Sequence, residues 1–149
     1  MAKKCMLKSL ELRECEGVTA EGFSSISLVL RNPDMVLEKL DLTDNDNIDD
    51  EVAISYANAL SHNKKLRSII LDDNDITPRG WAAFSRALCN KSSYVETYHS
   101  NHTVKEIGWH EDLPQDLELL LQLNRENSEG QAAQQKVVQN FLHSISFCG

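Results

Sequence analysis

The chain has 149 residues, enough for one compact domain with a single core. Its apolar share of 41% is that of an ordinary globular protein, and its net charge of −8 argues against nucleic acid and anionic membrane surfaces as partners, since both select basic faces. No stretch approaches the ~20 apolar residues of a membrane span, and no long apolar run follows the basic start as in a secretory signal, so a cytoplasmic location is expected.

In chain order, the first predicted element is a short strand opened by Leu7, in which Leu10 and Leu12 alternate with Ser9, Glu11 and Arg13. A period of two sends the leucines to one face and their neighbours to the other. Cys15 marks a turn, and Val18 is an apolar residue just after it. A helix follows, with Thr19 as N-cap and Ile26 and Leu30 on its inner stripe. The same order of events returns at Leu37, Leu40 and Leu42, then Asn45, Ile48, the N-cap Asp49, and Tyr56 with Leu60. It returns again at Leu66, Ile69 and Leu71, then Asn74, Ile76, the N-cap Thr77, and Phe84 with Leu88. The starts lie 30 and 29 residues apart, a spacing that signals stacked repeat units. Pro78 takes the first helical position, where its missing N–H costs nothing. Ser27, Ala57 and Ser85 are small and allow close helix–strand approach. Asn32, Asn63 and Asn90 are expected to end the helices in the left-handed conformation that asparagine tolerates.

A fourth strand starting at Ser93 fails, because it would turn Ser93, Glu96 and Tyr98 inward. A start near 104 turns Val104, Ile107 and Trp109 inward. Residues 91–101 therefore read as an insertion, and the β propensity of Tyr94, Val95, Thr97 and Tyr98 predicts a short extra strand there. Beyond Trp109 a leucine-dense segment begins near Pro114, and a polar loop is expected over residues 124–130. Ser128 and Gln131 have capping-box spacing, ahead of a helical stripe through Ala133, Val137, Phe141 and Ile145 joined by Val138 and Leu142.

No unit can bury its apolar face alone, so neighbours must stack, and parallel strands need the helices as crossovers. The expected fold is α/β: a short solenoid, or horseshoe fragment, with parallel strands on the concave side and helices on the convex side. Units begin at about 7, 37, 66 and 104 within residues 1–111, and residues 112–149 form a C-terminal helical cap.

The pattern L-x-x-L-x-L-x-x-N-x-I followed by a helix resembles the ribonuclease-inhibitor type of leucine-rich repeat. That family includes ribonuclease inhibitor, the Ran GTPase-activating protein and sensor regions of innate immune receptors. The resemblance implies a horseshoe whose concave face binds protein. It leaves two alternatives, a regulator of a small GTPase or a structural end piece of a longer array.

The outward strand positions name the expected contact residues: Glu11 and Arg13, Lys39, Asp41 and Thr43, then Ser68, Ile70 and Asp72. Glu11 and Asp41 should stand on adjacent strands about 5 Å apart and attract a basic protein. Ile70 beside them is a candidate apolar anchor. Residues 37–65 carry seven acids against three lysines, and Asp44, Asp46, Asp49 and Asp50 of their turn are expected to help. Only residues 1–6 precede the first strand, leaving the outer flank of Leu10 and Leu12 as a route for self-association.

Catalytic, metal and cofactor sites are not expected. No phosphate-cradling glycine loop or nucleophile elbow is present. His99, His102 and His110, with Glu111 and Asp112, match no zinc spacing. The acidic run from Asp44 fails as a calcium loop, since Asp49 stands where glycine is required and Ser55 where glutamate is required. Cys5, Cys15, Cys89 and Cys148 form no C-x-x-C pair and read as reduced structural thiols. Trp81 and Trp109 read as packing residues of core or cap.

Overall fold

A computed structural model describes residues 6–111 and 113–142. Three strands, β1 (Ser9–Glu11), β2 (Lys39–Asp41) and β3 (Ser68–Ile70), form a parallel sheet in chain order. Each is followed by an 11-residue helix: α1 (Ala20–Leu30), α2 (Asp50–Leu60) and α3 (Pro78–Leu88). The strand register is in step, with Leu10, Leu40 and Ile69 in one row. That row faces the helices, whose Phe23, Tyr56, Phe84, Leu30, Leu60 and Leu88 complete the core. The N-caps are Thr19, Asp49 and Thr77, each accepting a backbone N–H of its first turn. Leu40, Leu42, Ile69 and Leu71 are fully buried, while Leu10 and Leu12 are only partly so.

Asparagines at the turns tie one unit to the next. Asn45 Oδ1 accepts the Cys15 N–H at 2.8 Å, and its Nδ2 donates to Leu12 O and Leu42 O, each at 2.8 Å. Asn74 repeats this one unit on, accepting from Asn45 N at 2.9 Å and donating to Leu42 O at 3.0 Å. In the first unit Cys15 has no side-chain amide, and its thiol turns to Arg13 O. The asparagines expected to end helices do not adopt the left-handed conformation. The non-glycine residues with positive φ among those described are Glu14, Asp44 and Asp73, one before each turn residue. The reversal comes where the chain leaves the sheet, and the helices stop at Leu30, Leu60 and Leu88. Asn63 instead bonds across units, donating to Leu30 O and accepting from Lys65 N and Leu66 N.

The insertion is helical, not a strand. Ser93 caps α4 (Tyr94–His99), and the side chain of Thr97 points inward to donate to Asn90 O. A capping serine and a buried threonine hydroxyl outweigh the β propensity of the two tyrosines. The fourth unit forms no strand among the described residues but joins the sheet through a bridge from Ser68 to Glu106 and the backbone bond from Leu71 N to Ile107 O. Val104 and Ile107 enter the core as expected, but Trp109 is 72% exposed.

The cap is two helices, α5 (Gln115–Glu126) and α6 (Glu129–Val137), followed by one π-helical turn, Val138–Leu142. Helix α5 packs on α3, and α6 on α4. The loop expected over 124–130 shrinks to Asn127 and Ser128, because α5 continues through Asn124 to Glu126. Asn124 is fully buried and donates to Val104 O at 2.7 Å, so it belongs to the inner face with Leu117, Leu120 and Leu121. Ser128 and Gln131 form the expected capping box. The buried stripe of α6 is Ala132, Ala133 and Lys136, while Val138 is exposed. Ile145 lies outside the described residues.

Candidate functional site

The open face of the sheet carries the alternate residues of each strand. Register sets Ser9, Lys39 and Ser68 in one row and Glu11, Asp41 and Ile70 in the next. Glu11 is exposed, with Lys39 Nζ 3.9 Å from its carboxylate. Such a pair in water contributes little to stability and is easily exchanged for a partner's charge.

Asp41, expected from the sequence as an open contact residue, sits beside Glu11 in register but is 1% exposed. One carboxylate oxygen accepts the Nε of Arg13 at 3.0 Å together with Nη2, and the other accepts the Thr43 hydroxyl at 2.7 Å and its N–H at 3.2 Å. Burial works to raise its pKa, but the Thr43 and Arg13 hydrogen bonds overcome this and hold it below the ordinary value. Asp41 and the Thr43 hydroxyl are thus engaged within the fold, and Arg13 presents an exposed guanidinium already anchored at one edge. Sequence spacing could not show this, because the bond between Arg13 and Asp41 crosses units.

The other half of the face is built differently. Ser68 donates to Glu106 at 2.9 Å, and Ile70 is half-buried beside Gly108. Asp72 Oδ1 accepts the backbone N–H of Trp109 at 2.7 Å. Asp72, Asp73, Glu106 and Glu111 form no ion pair with a lysine or arginine among the described residues. Gly108 has φ +98°, and a Cβ there would lie 2.0 Å from Asp72 Oδ1. No side chain fits, so glycine lets the chain kink over Asp72. The kink turns Trp109 outward and seats His110 in its place, with its ring 4.4 Å from that of Trp81 and its Nε2 2.9 Å from Leu71 O. Trp81 is buried, as expected of a packing residue; Trp109, expected to pack alike, does not.

The remaining candidates are occupied by structure. His102 donates from Nε2 to Tyr98 O and faces Lys136 with Nδ1, while His110 faces Leu71, and among the described residues no three metal-ligating side chains converge. In the acidic turn, Asp49 is a helix cap and Asp50 accepts from Thr77 and Gly80 of the next unit. Cys15 is partly buried; Cys89 is buried, its thiol pKa raised by desolvation. No helix among the described residues is long and apolar enough to cross a membrane.

Lys136 was not singled out from the sequence. It is fully buried, with its ammonium 2.8 Å from Leu88 O, 3.2 Å from Asn101 O, 2.8 Å from Asn124 Oδ1 and 3.0 Å from His102 Nδ1. Burial pushes its pKa down to about 7. Burial, and then the neighbouring Lys136, push His102 down to about 4. Lysines usually snorkel to water, so nothing in a glutamine-rich helix marked this one.

Parallel strands in one register, crossover helices of equal length and an asparagine ladder between units define a repeat solenoid with an open strand face. A leucine-rich repeat family model matches residues 3–27, 34–54 and 62–85, and the chain is a leucine-rich repeat protein. The matched segments stop short of the kinked fourth unit. A solved structure of actin-binding site 2 of leiomodin-1 is similar, with a TM-score of 0.56 and 21% identity over 95% of this chain and 89% of that one. At that identity the likeness is one of fold. No curated protein matches the sequence.

Proposed function

We propose that this protein is a non-catalytic interaction module that binds a protein partner, preferably a basic one, through the concave strand face. The observation that carries the reading is the state of that face: Glu11 and Glu106 stand exposed at its two ends, with Ser68, Ile70 and Asp72 half-exposed between them. Asp41 and Thr43 support the surface from within, and Arg13 with Lys39 sets its N-terminal rim. Steering by exposed carboxylates favours a cationic surface. The repeat length and helical crossovers support the ribonuclease-inhibitor type of repeat.

Comparative capture tests this reading, with wild-type protein, a Glu11→Lys/Glu106→Lys double variant, and Glu21→Lys on helix α1 as the helix-side control. A partner held by wild type and the control but lost by the double variant supports the concave face. Equal recovery by all three refutes it. Purified actin, bound by the leiomodin-1 domain, and a small-GTPase hydrolysis assay belong in the same panel, the latter for the regulatory alternative. The half-open β1 edge is a second proposed contact, for self-association; light scattering on the eluting protein reads it directly.

A further inference from the structure

The Gly108-Trp109-His110 kink holds a large aromatic side chain in water by several separate contacts. Gly108 supplies the positive φ, Asp72 takes the Trp109 N–H at 2.7 Å, and His110 fills the space against Trp81 that the alternating pattern assigns to Trp109. An indole that is 72% exposed on a backbone held in place offers a large apolar face, and no backbone ordering is needed to present it. Tryptophan is also the residue type most enriched among interface hot spots. Its chain neighbourhood is acidic: Asp72 holds its backbone, Asp73 follows Asp72, Glu111 lies two residues on, and Glu106 three residues back. An electron-rich ring face in an acidic stretch of chain is complementary to a cation that can also stack. Arginine, planar and weakly hydrated, meets both demands better than lysine.

We propose that Trp109 is the anchor of the interaction surface and receives an arginine side chain of an extended basic peptide segment in the partner protein, with Asp72, Glu106 and Glu111 as its anionic rim. This rests on the concave-face reading and moves the energetic centre of that face to its C-terminal edge.

The test is fluorescence anisotropy with labelled hexa-arginine, hexalysine and uncharged Gly-Ser hexapeptides against the full chain. Hexa-arginine is expected to bind saturably, more tightly than hexalysine and less tightly as salt rises. Trp109→Ala should weaken it about tenfold, with Trp109→Phe closer to wild type. A thermal melt checks folding, which the removal of an exposed side chain should leave unchanged; if the alanine variant does not fold, Trp109→Gln replaces it. Equal hexa-arginine affinity in wild type and the folded Trp109 variant overturns the inference. If Glu11→Lys/Glu106→Lys still weakens binding in that case, the concave-face reading survives without its anchor. If hexa-arginine binds no better than the uncharged peptide, the basic-partner reading falls with it.

Discussion

Truncating Asn45 to alanine tests the ladder that holds the repeats in register. The side chain accepts from Cys15 N and donates to Leu12 O, Leu42 O and Thr43 O. Not all of these groups lose equally. Leu42 O keeps its bond from Asn74, and Thr43 O keeps the Glu14 N–H. The Cys15 N–H and Leu12 O lose the ladder bond outright. At about 1–3 kcal/mol for each orphaned group, Asn45→Ala should destabilise by about 4 kcal/mol, a large part of the roughly 5–15 kcal/mol that holds a domain folded. Asn74→Ala orphans only the Asn45 N–H, since Leu42 O retains Asn45 Nδ2, and should cost about 2 kcal/mol. Urea unfolding followed by circular dichroism measures both. An Asn74→Ala cost equal to or above that of Asn45→Ala would refute the reasoning, because the ladder would then not transmit through the second unit.

Lys136→Met should cost about 2–4 kcal/mol at neutral pH in the same assay, since backbone carbonyls of Leu88 and Asn101 cannot be exchanged for apolar groups. A cost below 1 kcal/mol would mean that desolvation of the ammonium cancels its bonds. His102 is held near pKa 4 in the fold against an ordinary value of 6.5, so the unfolded chain takes up its proton first. The contribution of His102 is therefore whole above pH 6.5 and falls by up to about 3 kcal/mol as pH drops to 4; His102→Gln should flatten that slope in acid melts. Gly108→Ala should lower the melting temperature, because its Cβ would overlap Asp72 and its φ is unfavourable; calorimetry showing an unchanged transition would contradict the kink.

The repeats were legible because two periods, of two in the strands and of about four in the helices, agree across three units. Thr19, Asp49, Thr77 and Pro78 marked helix starts by local chemistry, and the structure keeps all of them. The open face was legible as a set of positions but not as a set of free groups. Whether Asp41 is available depends on Arg13 reaching across from the previous unit, 28 residues away. Trp109 was misplaced because alternation assumes an unbroken strand, while Gly108 turns the chain within it. Lys136 was invisible because its acceptors come from three separate segments, and no helical pattern announces them.

The lysine latch has a consequence for the order in which the protein assembles during synthesis. The first three units bond to neighbours about thirty residues away, so each can dock as soon as the next emerges. Leu88 O must wait for a residue 48 positions later. At about 5–20 residues per second that is a delay of roughly 2–10 s, during which the half-finished fourth unit is recognisable to a chaperone or protease. Arrival of Lys136 closes that window by tying α6 to the end of α3 and to the fourth unit.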